Sequence, residues 1–134
     1  MAKEKRCYEL WVRQLYKPFV KSGFMSAFIR PGDRRGPNLK GTQEGAEVTV
    51  RILKKAGSPE NEPVFDSFEK LGVVEKIVVK KMKDLTKKDL VGSSPDCLAP
   101  EAVPIHLGWH YGVKFKPSDI VSIVRVKYRK RGDL

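Results

Sequence analysis

The amino-acid sequence predicts an α+β protein built around one small, strongly curved β-barrel of five or six strands, with two or three short helices. Several segments alternate between apolar and polar residues with the period of two that is typical of strands, whereas segments of helical composition are short. The chain has 134 residues, 40% of them hydrophobic, which is the length of one domain with enough apolar side chains for a core. We therefore expect a single domain over residues 1–134, with its core over about 7–130.

The first half of the chain predicts three strands and one short helix. Three segments alternate in the manner of strands: residues 7–16, 26–30 and 46–55. Residues 17–23 predict a short helix or turn that ends at Gly23, and Pro31 ends the second strand. Residues 31–45 contain two prolines and four glycines. They predict a long loop, and long loops in small domains are usually functional or mobile.

The second half predicts a central strand, two short helices and a closing strand. Residues 72–85 carry β-branched runs with apolar residues on both faces, which favours a central strand after an acidic connection over residues 56–67. Residues 86–92 have the Thr-x-x-Asp spacing of a helix start and end in Gly, which predicts a one-turn helix. Proline is favoured in the first turn of a helix, so a further helix is expected to begin near Pro104.

The closing segment, residues 118–130, predicts a strand with one apolar and one basic face. The apolar face comprises Ile120, Val124, Val126 and Tyr128. The opposite face comprises Arg125, Lys127 and Arg129.

The chain is strongly basic, with 27 Lys and Arg against 16 Asp and Glu and a net charge of +11. This balance predicts an anionic partner. Basic stretches alternate with acidic ones at 41–69 and 89–113, which suits a basic stripe on a nucleic-acid-binding protein. A lysine-rich solvated surface is the alternative.

Metal-binding and membrane functions find little support in the sequence. Cys7 and Cys97 have no CxxC spacing, and His106 and His110 lack the Glu of an HExxH motif. We therefore expect no metal and no cofactor; a site in which both histidines share a helix face and bind a metal with Cys97 is the alternative. No apolar run has the length of a signal peptide or a membrane span, which predicts a cytoplasmic protein with reduced thiols and no membrane partner.

Four segments in their order along the chain resemble the ASCH domain family, whose members are PUA-like barrels. They are SGFMSAFIR, GAEVTVRIL, VVEKIVVKKMKDLTKKDL and HYGVKFKPSDIVSIVRVKYR. The resemblance covers about residues 8–129 and rests on the order of these segments more than on any one of them. It implies a PUA-like fold for the single domain.

The family signature G-x-K-x-x-E-x-R is only half present. Gly23 and Arg30 match it, but Met25 stands at the Lys position and Phe28 at the Glu position. In the small ASCH amidohydrolases, which deacetylate N4-acetylcytidine, that Lys and a Thr at the second position belong to the catalytic set. A thioether and a phenyl ring cannot transfer the proton involved, so we expect no catalytic residues here. Met25 and Phe28 either pack in the core or form a surface on which a base stacks.

The favoured function is a non-catalytic RNA-binding module. Three arginines within six residues, on and beside a Pro/Gly-rich loop, suit bidentate phosphate contacts, and the glycines allow close approach of the backbone. The predicted RNA contacts are Lys21, Gly23, Arg30, Arg34, Arg35 and Lys40 at the cleft and loop, with Arg125, Lys127 and Arg129 as a secondary strip. Each group also has an alternative without a binding role. Lys21 and Lys40 would be solvated charges, Arg30 would be a structural ion-pair partner, and the strip would be the charged solvent face of an edge strand.

Two other functions stay open. One is a hydrolase or nuclease that acts on RNA or a modified nucleoside, since a metal-independent ribonuclease needs only Lys, His and Tyr side chains. The other is a protein-interaction domain that uses surfaces around Trp11 and Trp109.

Overall fold

Five strands form one mixed, half-barrel sheet in the computed structural model, which describes residues 8–36 and 41–129. The strands are β1 (Tyr8–Arg13), β2 (Ala27–Pro31), β3 (Glu47–Lys55), β4 (Val64–Lys81) and β5 (Ile120–Tyr128). Their order across the sheet is β1-β3-β4-β5-β2. The β1–β3 pair is parallel and the other three pairs are antiparallel. This confirms the predicted α+β class, a small curved PUA-like sheet, with β1 and β2 as its edge strands.

Two short α-helices, α1 (Lys17–Lys21) and α2 (Val103–Tyr111), flank the sheet in the described part of the chain. The predicted helix near Pro104 is confirmed, because Pro104 lies in the first turn of α2 and Gly112, at φ +68°, ends it in the left-handed region. Single 3-10 turns complete the connections: Gln14–Tyr16, Met82–Asp84, Lys88–Leu90, Pro95–Cys97 and Pro100–Ala102. None of the helices in residues 8–36 and 41–129 is long and apolar enough to span a membrane.

The sheet buries both of its faces. On β5, Val124 and Val126 belong to one apolar cluster, whereas Val121 and Ile123, in the alternate positions, belong to a second. The second cluster packs beneath α2, which contributes Leu107 to it. The predicted basic residues Arg125, Lys127 and Arg129 therefore occupy only the second half of this face, and Val121 and Ile123 make its first half apolar.

Three details of the predicted elements were wrong. Ile120, assigned to the apolar face of β5, is exposed at the start of the strand. The acidic connection 56–67 gives way to β4 at Val64, and β4 ends at Lys81 rather than continuing to Leu85. Pairing between β3 and β4 shifts register twice near Leu53, so the period-two pattern that identifies a strand is broken in this region.

Arg125 has a structural role in the fold. Its guanidinium donates hydrogen bonds to the backbone carbonyls of Lys88, Asp89 and Val91 at 3.2, 2.9 and 2.8 Å. These bonds tie β5 to the 3-10 turn Lys88–Leu90 and the residue after it. Lys127, two residues later, is exposed.

The apolar face of β5 gives a first prediction. Val126 is 5% exposed inside the larger cluster, so the Val126→Asp variant buries a charge without a partner and should lose about 3 kcal/mol or more of unfolding free energy. The exposed Lys127→Arg variant should stay within about 0.5 kcal/mol. Urea unfolding followed by circular dichroism measures both. A Val126→Asp variant with the midpoint of the wild type would mean that this face of β5 is exposed.

The basic face of β5 gives a second prediction. The Arg125→Gln variant removes hydrogen bonds to three carbonyls and should cost about 1–3 kcal/mol of unfolding free energy. Lys127→Gln makes the same charge change on an exposed residue and should cost less than about 0.5 kcal/mol. Equal stability of the two variants in urea titrations would show that the Arg125 contacts contribute nothing to the fold.

Candidate functional site

A cleft of about 270 Å³ lies between the two edge strands, at the open side of the half-barrel. Strands β1 and β2 form one part of its wall, and α2 with residues 93–97 forms another. The polar side chains on this wall are Arg13, Tyr16, Arg30, Ser93, Ser94, Cys97, His106, His110 and Tyr111. The cleft therefore combines cationic, imidazole, hydroxyl and thiol groups on an apolar floor.

Arg30 of β2 extends across the gap to β1. Its guanidinium donates one hydrogen bond to the Trp11 carbonyl at 2.9 Å and one to the Ile29 carbonyl at 3.0 Å. Within the described ranges it forms no ion pair with an Asp or Glu. Burial lowers the pKa of this group, as does the nearby charge of Arg34. A half-buried guanidinium without a carboxylate partner is suited to bind an anionic ligand.

A cluster of hydrogen-bonding groups occupies the opposite wall of the cleft. The Tyr16 hydroxyl lies 2.6 Å from a carboxylate oxygen of Asp96, 3.2 Å from Nε2 of His110 and 3.4 Å from Nε2 of His106. A tyrosine hydroxyl has one proton, and the shortest distance assigns it to Asp96. The hydroxyl oxygen is then free to accept an N–H from an imidazole. The two imidazole rings lie 4.2 Å apart, one helical turn from each other on α2.

Asp96 is ionised in this cluster. Burial acts to raise its pKa, but hydrogen bonds from the Ser94 and Tyr16 hydroxyls and the neighbouring His106 outweigh burial and hold the pKa below its usual value. The Ser94 hydroxyl binds one carboxylate oxygen and Tyr16 the other. Asp96 is thereby fixed in orientation.

The other titratable groups of the cluster are neutral near pH 7. Burial, with the nearby His106 and Arg13, lowers the pKa of His110 to about 4, and burial also lowers the pKa of His106. Burial raises the pKa of the Cys97 thiol to about 12. The cluster thus presents two neutral imidazoles and a thiol to the cleft, with the Asp96 carboxylate bonded to Tyr16 beside it.

The loop after β2 places the next two arginines in different environments. Arg34 donates from Nε to the Pro31 carbonyl and from its backbone N–H to the Ser122 hydroxyl. Arg35 makes a two-bond ion pair with Asp33, which lowers the pKa of that carboxyl to about 2. The charge of Arg35 is therefore balanced by a neighbour. Lys40 lies outside the described residues.

Most of the remaining predicted contacts lie away from the cleft wall. Lys21 is exposed at the end of α1, and Gly23, at φ +82°, ends that helix in a conformation that favours glycine. Arg129 pairs with Glu47 at 2.8 Å. Among the predicted contact and stacking residues, Arg30 and Met25 line the cleft.

Met25 and Phe28, which stand at the Lys and Glu positions of the ASCH signature, are both buried. Phe28 is 0% exposed in the larger apolar cluster, so the hypothesis that a base stacks on its ring was wrong. Met25 is 5% exposed and contributes to the apolar floor of the cleft. The core alternative therefore describes both side chains.

Sequence reasoning missed Tyr16 and Asp96. Tyr16 follows the first strand as one more aromatic residue, and Asp96 stands in the turn SSPDC without any spacing that marks a site.

The two tryptophans considered as a protein-interaction surface contact other side chains of the chain. The Arg13 guanidinium lies 5.8 Å from the ring centroid of the exposed Trp109, and the Trp11 ring packs edge-on against Phe65. Both tryptophans thus have partners within the chain.

Comparison with known proteins identifies the fold. No family model matches the sequence, and no curated protein matches it. One similar solved structure is a protein of Enterococcus faecalis V583 described under the family model DUF984, with a TM-score of 0.58, 12% identity and coverage of 92% of this chain and 80% of that one. Another is an ASCH domain of Lactobacillus crispatus JV V101, with a TM-score of 0.53, 9% identity and coverage of 85% and 70%. The chain has an ASCH-like fold.

Proposed function

We propose that the protein is a non-catalytic RNA-binding module whose cleft receives a phosphate group of the RNA. The observation that carries this proposal is the Arg30 guanidinium, a half-buried cation that lines the cleft and has no carboxylate partner in the described ranges. A phosphate would supply the missing negative charge and can accept two parallel hydrogen bonds from a guanidinium.

The surroundings of Arg30 support an anionic strand over an isolated small anion. Arg34 is close enough to lower the pKa of Arg30, and the whole chain carries a net charge of +11. A phosphate between the two arginines would relieve their mutual repulsion. Lys21 and Lys127 are exposed, and they add to the positive charge that would attract a longer run of phosphates.

Aromatic side chains at the rim offer a place for bases. Tyr111 and Trp11 line the cleft and are 45% and 47% exposed. Stacking on exposed rings is tolerant of sequence, and it accompanies phosphate contacts in many proteins that bind single strands. We therefore propose that these two rings take the stacking role first assigned to Phe28.

This proposal predicts a salt-dependent affinity for single-stranded RNA. The Arg30→Gln variant should weaken binding of a labelled RNA and reduce the log–log salt slope by about 0.7, the value of one phosphate contact on a single strand. A Gln amide still donates to a carbonyl, which limits the damage to the fold. Fluorescence anisotropy at several salt concentrations measures the slope, and thermal unfolding verifies that the variant is folded.

The matched control is the double variant Asp33→Asn and Arg35→Gln. It removes an ion pair, keeps the net charge and should leave the slope unchanged, because Arg35 is balanced by Asp33. No binding at low salt would contradict the RNA proposal. Binding with a normal slope in Arg30→Gln would move the contact away from the cleft.

A hydrolase or nuclease that acts on RNA or a modified nucleoside is the second candidate. The observation that favours it is the group of Tyr16, His106 and His110 in the same cleft as Arg30, with Asp96 bonded to the Tyr16 hydroxyl. Groups of this type near an anion-binding arginine are common in sites that break phosphate or acyl bonds.

Even so, we expect no hydrolysis of N4-acetylcytidine. Met25 and Phe28 stand where the ASCH amidohydrolases have Lys and Thr, and loss of a general acid or base alone costs about 10²–10⁴ in rate. Chromatography of the nucleoside after incubation with the purified protein measures turnover, with an active ASCH amidohydrolase as the positive control. Turnover that disappears in the Arg30→Gln variant would contradict this expectation.

A further inference from the structure

Three different metal-ligating groups converge beside the cleft. The donor atoms of Asp96, Cys97 and His106 all lie within 4.8 Å of one another. They come from two separate elements, the 3-10 turn Pro95–Cys97 and α2. Their meeting therefore depends on the tertiary fold and is not a consequence of neighbouring positions on one helix.

We propose that these three side chains bind a zinc-class transition-metal ion. An ion bound by the Asp96 carboxylate, the Cys97 thiolate and a ring nitrogen of His106 would have one oxygen, one sulfur and one nitrogen ligand. This mixture suits Zn²⁺ or Co²⁺, whereas Mg²⁺ and Ca²⁺ prefer oxygen ligands alone. The proposal reverses the expectation from the sequence that the chain holds no metal.

The distances fit a site that closes on the ion. Metal–ligand bonds of about 2.0–2.3 Å in a tetrahedron place the ligand atoms roughly 3.3–3.8 Å apart. The donor atoms lie within 4.8 Å of one another, so the site would need to contract by at most about one ångström to hold the ion. The 3.4 Å between Nδ1 of His106 and Asp96 is already within that span.

Hydrogen bonds outside the ligand set hold the turn in place. The Ser94 hydroxyl binds one oxygen of Asp96 and leaves the other toward Tyr16 and His106. The buried Ser93 hydroxyl binds the Leu90 carbonyl and lies 3.3 Å from the Cys97 carbonyl. Such supporting contacts orient ligands in known metal sites.

A fourth ligand is within reach. His110 lies one helical turn after His106, with its ring 4.2 Å from that of His106 and its Nε2 3.2 Å from the Tyr16 hydroxyl. With the three ligands alone, one position of a tetrahedral site would stay open, next to the cleft that Cys97 and His106 line. Three protein ligands and an open position are typical of catalytic zinc sites, so this site would serve the second candidate function.

Titration of the full chain with Co²⁺ tests the proposal. We expect one equivalent to bind, with the intense visible bands of tetrahedral Co²⁺ and a near-ultraviolet thiolate-to-cobalt charge-transfer band. Zn²⁺ should displace Co²⁺, and excess Mg²⁺ should not. These readouts require no activity and no RNA, so they test the metal site independently of the RNA proposal.

Matched variants identify the ligands. Cys97→Ser should abolish the charge-transfer band and weaken Zn²⁺ binding by about tenfold or more, whereas Cys7→Ser should leave both unchanged. Asp96→Asn, at a side chain that is 45% exposed, should also weaken binding about tenfold without unfolding the protein. Circular dichroism of each metal-free variant verifies its fold.

Two results would overturn the proposal. One is the absence of any stoichiometric Co²⁺ spectrum in the wild type. The other is a spectrum that survives Cys97→Ser and Asp96→Asn but is lost in Cys7→Ser, which would place the ion elsewhere.

Discussion

The hydrogen bond from Arg30 to the Trp11 carbonyl joins the two edge strands of a sheet that does not close on itself. β1 and β2 stand at opposite ends of the strand order, so no backbone ladder pairs them. A side chain bridges the gap instead, and the space around the bridge is the cleft. The width of the cleft and the position of its cation therefore depend on the same contact.

The Arg30 guanidinium therefore has two roles. It holds β2 to β1 through the Trp11 carbonyl, and it is a cation on the wall of the cleft. Two of its N–H groups bind backbone carbonyls, and its charge has no carboxylate neighbour in the described ranges. Polar groups buried in this way are costly for stability, and proteins tend to keep them where function needs them. The opposite wall is similar, because the buried Tyr16 and the half-buried His106 and His110 lie together at the edge of an otherwise apolar core.

The sequence predicted local features well and long-range ones poorly. The alternation in β1, β3 and β5 and the position of Pro104 in α2 follow from residues close together in the chain, and the structure confirms them. The start of β4 was missed because bulges near Leu53 break the alternation there. The contact between Tyr16 and Asp96 joins residues 80 positions apart, and no spacing rule reaches across that separation.

The pairing of β2 with β5 constrains the order in which the chain folds. Ala27 pairs with Arg125, so β2 emerges from the ribosome long before β5, its one ladder partner among residues 8–36 and 41–129. Until β5 is made, the apolar residues Ala27, Phe28 and Ile29 have no strand beside them. Contacts so distant in sequence slow folding, and an unpaired apolar strand is prone to aggregate. Nascent chains of this topology therefore expose an apolar strand during synthesis, until β5 is available to pair with it.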